Sequence, residues 1–137
     1  MKLIDYIREL LRTCPLLIDG RINVDFLDAE SGSYSVNTTP AEPIVKRFVN
    51  GSTVRQYVFT FTSAELYGEE IRQNLDNAGF WEDFTEWIET VELPQTLDAN
   101  QEAQQIEVLS SGYAYLTDAD SARYQIECRL LYLQKGR

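Results

Sequence analysis

The chain has no histidine, and that absence removes more chemistry than any residue present supplies. Imidazole is the commonest general base and the usual partner of a Ser or Cys nucleophile, so a hydrolase or acyltransferase of the usual kind is not expected. Cysteine is scarce as well. Cys14 and Cys128 stand far apart with no Cys-x-x-Cys or Cys/His ligand spacing, so both are expected to be reduced and packed. Positive charge is thin: 12 Lys and Arg against 22 Asp and Glu leave a formal net charge of −10. That balance argues against a nucleic-acid or anionic-membrane binder, either of which needs a basic footprint. No apolar run approaches the length of a membrane span. The apolar residues at the start are interrupted by Asp5, Arg8, Glu9 and Arg12, unlike a signal-peptide core, so the chain is expected to stay in the cytoplasm. Gly51, Gly68, Gly79 and Gly112 are scattered and make no phosphate-cradling loop. Asp118 and Asp120 read as turn residues and not as metal ligands. Neither a cofactor nor a metal is expected.

What is present suits one packed domain over residues 1–137. With 44% hydrophobic and 12% aromatic residues, a chain of 137 residues can form one sizeable core, burying roughly two thirds of its unfolded surface. The rest is organised around Tyr67 to Val91. There Tyr67, Ile71, Leu75, Ala78, Trp81, Phe84, Ile88 and Val91 recur at steps of three and four, which is one face of a helix. The other face carries Glu69, Glu70, Asp76, Glu82, Asp83, Glu86 and Glu89 against Arg72 alone, so it looks at water or at a positively charged partner. Trp81 and Trp87 lie on or beside the stripe as core or interface residues. Leu93-Pro94 marks the stop, because proline disfavours helical geometry at the residue before it. Gly79, within the stripe, costs about 1 kcal/mol relative to alanine and predicts a kink or two successive helices near Asn77 to Gly79. Leu3, Ile4, Ile7, Leu10 and Leu11 predict a short amphipathic helix that Pro15 limits at Cys14 or before.

Strand signals fill the remainder. Ile22, Val24 and Phe26 alternate with Asn23 and Asp25; Asp28 to Ser33 is turn-like, and Tyr34 to Val36 is a short strand. Thr38 to Pro43 carries two prolines and cannot belong to a central strand. Ile44 to Val49 and Val54 to Phe61 flank Asn50-Gly51, which predicts a hairpin with a two-residue type I′ turn. Arg55, Tyr57, Phe59 and Phe61 share one face of the second arm, and Val54, Gln56, Val58 and Thr60 the other, so this arm is central or covered on both sides. Thr62 with Glu65 fits a capping box leading into the main helix. Gln95 to Gln105 reads as a mobile loop. Ile106 to Leu116 reads as a strand with a bulge or kink at Ser110-Ser111-Gly112, and Thr117 to Asp120 as a turn. In the last strand Tyr124, Ile126, Cys128, Leu130 and Tyr132 face the core, alternating with Arg123, Gln125, Glu127, Arg129 and Leu131. The sum is an α+β fold: an antiparallel or mixed β-sheet of two long hairpins plus N-terminal strands, with helices packed on one face.

Three segments together carry a resemblance: Pro40 to Phe61 (PAEPIVKRFVNGSTVRQYVFTF), Gln73 to Trp87 (QNLDNAGFWEDFTEW) and Ser121 to Tyr132 (SARYQIECRLLY). They resemble the small minor capsid or tail-completion proteins encoded in the tail-assembly region of long-tailed phages and prophages of Gram-positive bacteria. Those proteins look like relatives of phage tail terminators. The chloramphenicol-resistance label that some relatives have carried is discounted, since that acetyl transfer needs a catalytic histidine.

The resemblance implies a non-enzymatic virion structural protein that caps the growing tail tube as a homo-oligomeric ring, a hexamer being expected. It then presents a surface to head-completion proteins. Its place is the virion, and the host bacterial cytoplasm during assembly. A closed ring requires a heterologous interface, one patch meeting a different patch on the next subunit. Long hairpins and sheet edges are natural donors of such contacts. The candidate interface residues are therefore Arg47, Val49, Asn50, Gly51 and Arg55, with the arginines placed to meet the acidic helix face of a neighbour. An acidic lining also keeps a passing DNA genome from sticking, so no specific nucleic-acid binding is expected. The alternatives are another virion connector or minor capsid role, a small acidic regulatory binder or nucleic-acid mimic, and an enzyme of unrecognised type.

Overall fold

The computed structural model describes residues 2–17, 22–24, 33–66, 71–94, 97–117 and 121–136. In chain order the elements are α1 (Leu3–Arg12), β1 (Ile22–Val24), β2 (Ser33–Thr38), β3 (Ile44–Arg47), β4 (Thr53–Leu66), α2 (Ile71–Thr90), β5 (Gln101–Thr117) and β6 (Ser121–Gln134). The strands form one sheet in the order β1-β2-β4-β6-β5, and β3 pairs with the start of β4 beyond the end of β2. β1 and β2 run parallel; the other pairings are antiparallel. The fold is thus α+β with a mixed sheet, built on the expected hairpins β3–β4 and β5–β6.

β4 is the spine. It pairs with β6 along its whole length, from Thr53 opposite Gln134 to Leu66 opposite Ser121. Alternation then decides the core. Phe59 and Phe61 of β4 and Ile126, Cys128 and Leu130 of β6 are buried on one face, under both helices. Trp81, Phe84 and Ile88 of α2 pack there as their spacing predicts. The Phe61 ring stacks on Phe84 at 4.9 Å between centroids and on Tyr34 at 5.6 Å, while Trp81 meets Phe84 edge-on at 5.7 Å. α1 adds Ile7, Leu10 and Leu11, and Tyr6 besides, whose hydroxyl donates to the Pro94 carbonyl at 2.6 Å. That bond ties α1 to the segment leaving α2. On the opposite face of β4, Val58 is buried and Val54, Gln56 and Thr60 are half-buried. Arg129 spans that face, donating to Glu107 at 2.6 Å and to Gln56 at 3.2 Å. Cys14 and Cys128 are both buried and free.

Several local expectations are corrected. α2 is one helix, Ile71–Thr90, that continues through Gly79, so two successive helices do not occur there. Thr62 and Glu65 form no capping box, because both lie within β4, paired with Gln125 and Ala122 of β6. Pairing partners outweigh the local capping signal. Gln101 to Gln105 belongs to β5 and not to a loop: Ala103 is buried opposite Tyr132, and Gln101 Nε2 donates to the Gln134 side chain at 2.9 Å. The irregularity expected at Ser110 to Gly112 is there, as register shifts between Val108 and Tyr113. The expectations for Asp28 to Gly32, for Tyr67 to Glu70 and for Asp118 to Asp120 lie outside the described residues.

Candidate functional site

The β3–β4 hairpin ends in three residues, not two. Phe48 N–H donates to the Ser52 carbonyl at 2.8 Å and closes the loop around Val49, Asn50 and Gly51. Within it Gly51 N–H donates back to the Phe48 carbonyl at 3.1 Å, and Gly51 takes φ +90°. This is a turn centred on Val49-Asn50 followed by a left-handed glycine, the arrangement of a three-residue hairpin loop with a bulge. The type I′ assignment to Asn50-Gly51 is therefore corrected. Asparagine still has its reason: Asn50 Oδ1 accepts from Ser52 N–H at 3.0 Å, satisfying a donor that the ladder leaves over.

The tip combines apolar surface with positive charge. Val49 is fully exposed, Val45 is 49% exposed and Phe48 39%. The Lys46 ammonium lies 5.2 Å from the centroid of the Phe48 ring, as the two-residue spacing along a strand allows. Lys46, Arg47 and Lys135 are exposed. Lys135 comes to this end because the chain following β6 is pinned: Lys135 N–H donates to the Asn100 carbonyl at 2.7 Å and Gly136 N–H to Ser52 Oγ at 3.0 Å. Gly136 lies so close that a Cβ there would meet Asn50 O and Gly51 C at 2.7 Å.

The two predicted arginines divide. Arg47 is exposed and has no hydrogen bond or ion pair among the described residues. Arg55 is half-buried, its Nε donates to Thr53 Oγ1 at 3.1 Å, and its charge offsets part of the rise that burial gives the Tyr132 hydroxyl. Arg55 is thus partly engaged within its own molecule, and Arg47, Val49, Asn50 and Gly51 are the fully exposed candidates.

Two features were missed from sequence. One is the Lys46–Phe48 pair, whose signal was the i, i+2 spacing on one strand face. The other is a half-open groove of about 320 Å³ where α2 ends against β5. Ile88, Val91, Leu93 and Ile106 give it an apolar floor; Glu89 and Glu92 stand on the helix side, Gln104 and Gln105 on the strand side. Glu82, Asp83, Glu86, Glu89 and Glu92 are all exposed, so the acidic face predicted for the helix is real over its described part. Among the described residues no helix is long and apolar enough to cross a membrane, and no group of His, Cys, Asp and Glu is disposed to hold a metal.

No family model matches the chain, and comparison with curated proteins returns no match.

Proposed function

We propose that this chain is a non-enzymatic virion subunit that closes the end of a phage tail tube as a ring, a hexamer by the family resemblance. In this reading it joins that end to head-completion proteins, after assembly in the host cytoplasm. The observation that supports the reading best is the pairing of two unlike surfaces on one molecule. The hairpin tip is apolar and basic, with Val45, Phe48 and Val49 exposed. The described part of α2 turns a row of carboxylates outward. Unlike, mutually complementary patches are what a head-to-tail ring needs, whereas a two-fold dimer needs one self-complementary patch. The acidic remainder suits a conduit for DNA, because like charge keeps the polymer from adhering.

The test is deletion of the gene from the phage that encodes it, with particles viewed by electron microscopy. Tails of abnormal length and heads without tails are expected; normal tails joined to heads would reject the terminator role. A second reading, a small acidic binder of a basic partner, draws on the same carboxylate row. It predicts a monomer that binds and inhibits a DNA-binding protein, with acids spaced like backbone phosphates.

A further inference from the structure

We infer that the groove between the end of α2 and β5 receives the β3–β4 tip of a second copy of this chain. The inference rests on the ring reading above and names both halves of its joint. On the receiving side, Val91, Leu93 and Ile106 form an apolar floor beside Glu89 and Glu92. The last turn of α2 contains no basic residue. The partial negative charge of the helix end therefore adds to the two carboxylates instead of being offset. A groove with a few apolar side chains at its base, a largely polar lining and uncompensated negative charge at its rim suits an occupant that is basic and carries a small apolar part. The tip is such an occupant: an exposed Phe48 ring with the Lys46 ammonium held against it, and Arg47 and Val49 beside them. The groove volume of about 320 Å³ accommodates side chains, not a folded element.

The molecule's own tip does not reach its own groove. Gln105 and Ile106 lie level with Leu131 and Leu130 of β6, and hence with Gln56 and Tyr57 of β4. The tip lies past Thr53, towards the same end of the sheet, and none of its residues lines the groove. β5 is also two strands from β4, roughly 10 Å across the sheet. The β3–β4 ladder and the contact of Gly136 with the turn hold the tip in that place. Each copy thus keeps its tip out of its own groove and offers two unlike surfaces to other copies, so the joint is head-to-tail.

The test uses two full-length variants, Lys46→Glu/Arg47→Glu at the tip and Glu89→Lys/Glu92→Lys at the groove. All four side chains are exposed, so the monomer is expected to stay folded, which circular dichroism checks. Native mass and sedimentation should show each variant alone associating roughly tenfold or more weakly than the wild type. An equimolar mixture should recover association, because the reversed tip of one fits the reversed groove of the other. Val49→Cys/Gln105→Cys should cross-link between molecules on oxidation. Variants that associate as the wild type does, or a mixture that fails to recover, overturn this pairing while leaving a ring built through other surfaces. A wild type that stays monomeric and a cysteine pair that never cross-links at any concentration also overturn it. The terminator role is then decided separately by the deletion phenotype.

Discussion

At the scale of single residues, Trp81 and Phe84 each touch several other rings, among them Phe61 and Phe80, so truncating either removes packing from several neighbours at once. Trp81→Ala and Phe84→Ala should each cost ~3 to 5 kcal/mol in urea unfolding; losses below ~1 kcal/mol for both would mean the stripe does not face the sheet. Ser63 behaves oppositely. Its hydroxyl is buried with no hydrogen-bond partner among the described residues. Ser63→Ala removes a desolvated group at little loss of volume and should leave stability unchanged or raise it by up to ~1 kcal/mol. A clear loss would reveal a partner for that oxygen. Cys128 sets a pH limit: burial, then Glu89 and Glu127, push its thiol from 9.0 up to about 12. As pH rises past 9, the unfolded chain releases this proton first while the native state keeps it. The stability tied to the neutral thiol is therefore complete below about pH 9 and is lost between there and about pH 12. Buried Tyr6 and Tyr132 are shifted in the same direction. Cys128→Ala should be less stable at pH 7 yet fall less steeply across that alkaline range, and an unchanged slope would exclude the thiol as the cause.

At the scale of elements, two glycines separate backbone need from accident. A Cβ at Gly79 would meet nothing within 4 Å, and the residue is helical. Gly79→Ala should therefore stabilise by up to ~1 kcal/mol. Gly51 sits at φ +90°, where an L side chain costs ~1 to 2 kcal/mol, so Gly51→Ala should destabilise by about that much. Thermal melts that moved both variants the same way would contradict this account of the two positions. The contrast also marks what could be read from sequence. α1, the end of α2 and β6 were legible because many residues keep one period, and so the α+β class was legible too. The C-terminal extent of β4 and the start of β5 were not, since Thr62 to Leu66 and Gln101 to Gln105 are strands only through pairing with β6. Asn50-Gly51 located the turn correctly, but its size depends on Phe48 pairing with Ser52, which the dipeptide alone does not specify. Of the candidate site, the exposed tip was legible. The groove was not, because it exists only once the end of a helix and a stretch without strand character lie side by side.

At the scale of the whole molecule, two electrostatic effects oppose each other when copies meet, and their ranges decide the outcome. Each subunit carries a net charge of −10, so subunits repel as wholes; a chain of this length has neighbouring centres roughly 30 Å apart. The proposed contact of Lys46 and Arg47 with Glu89 and Glu92 acts over a few ångströms. The Debye length falls from ~30 Å at 0.01 M to ~10 Å at 0.1 M and ~3 Å at 1 M. The first tenfold rise in salt therefore removes most of the long-range repulsion while sparing the contact, and the second reaches the contact itself. Association measured by sedimentation should strengthen between ~0.01 and ~0.1 M and weaken towards ~1 M. Lys46→Gln/Arg47→Gln should keep the first limb and lose the second. Phe48→Ala should weaken association at every salt concentration, because the apolar part of the contact is not screened. A wild type whose association only strengthens up to ~1 M salt would be held together by apolar burial alone, and the charges at the tip and groove would then have no part in joining the subunits.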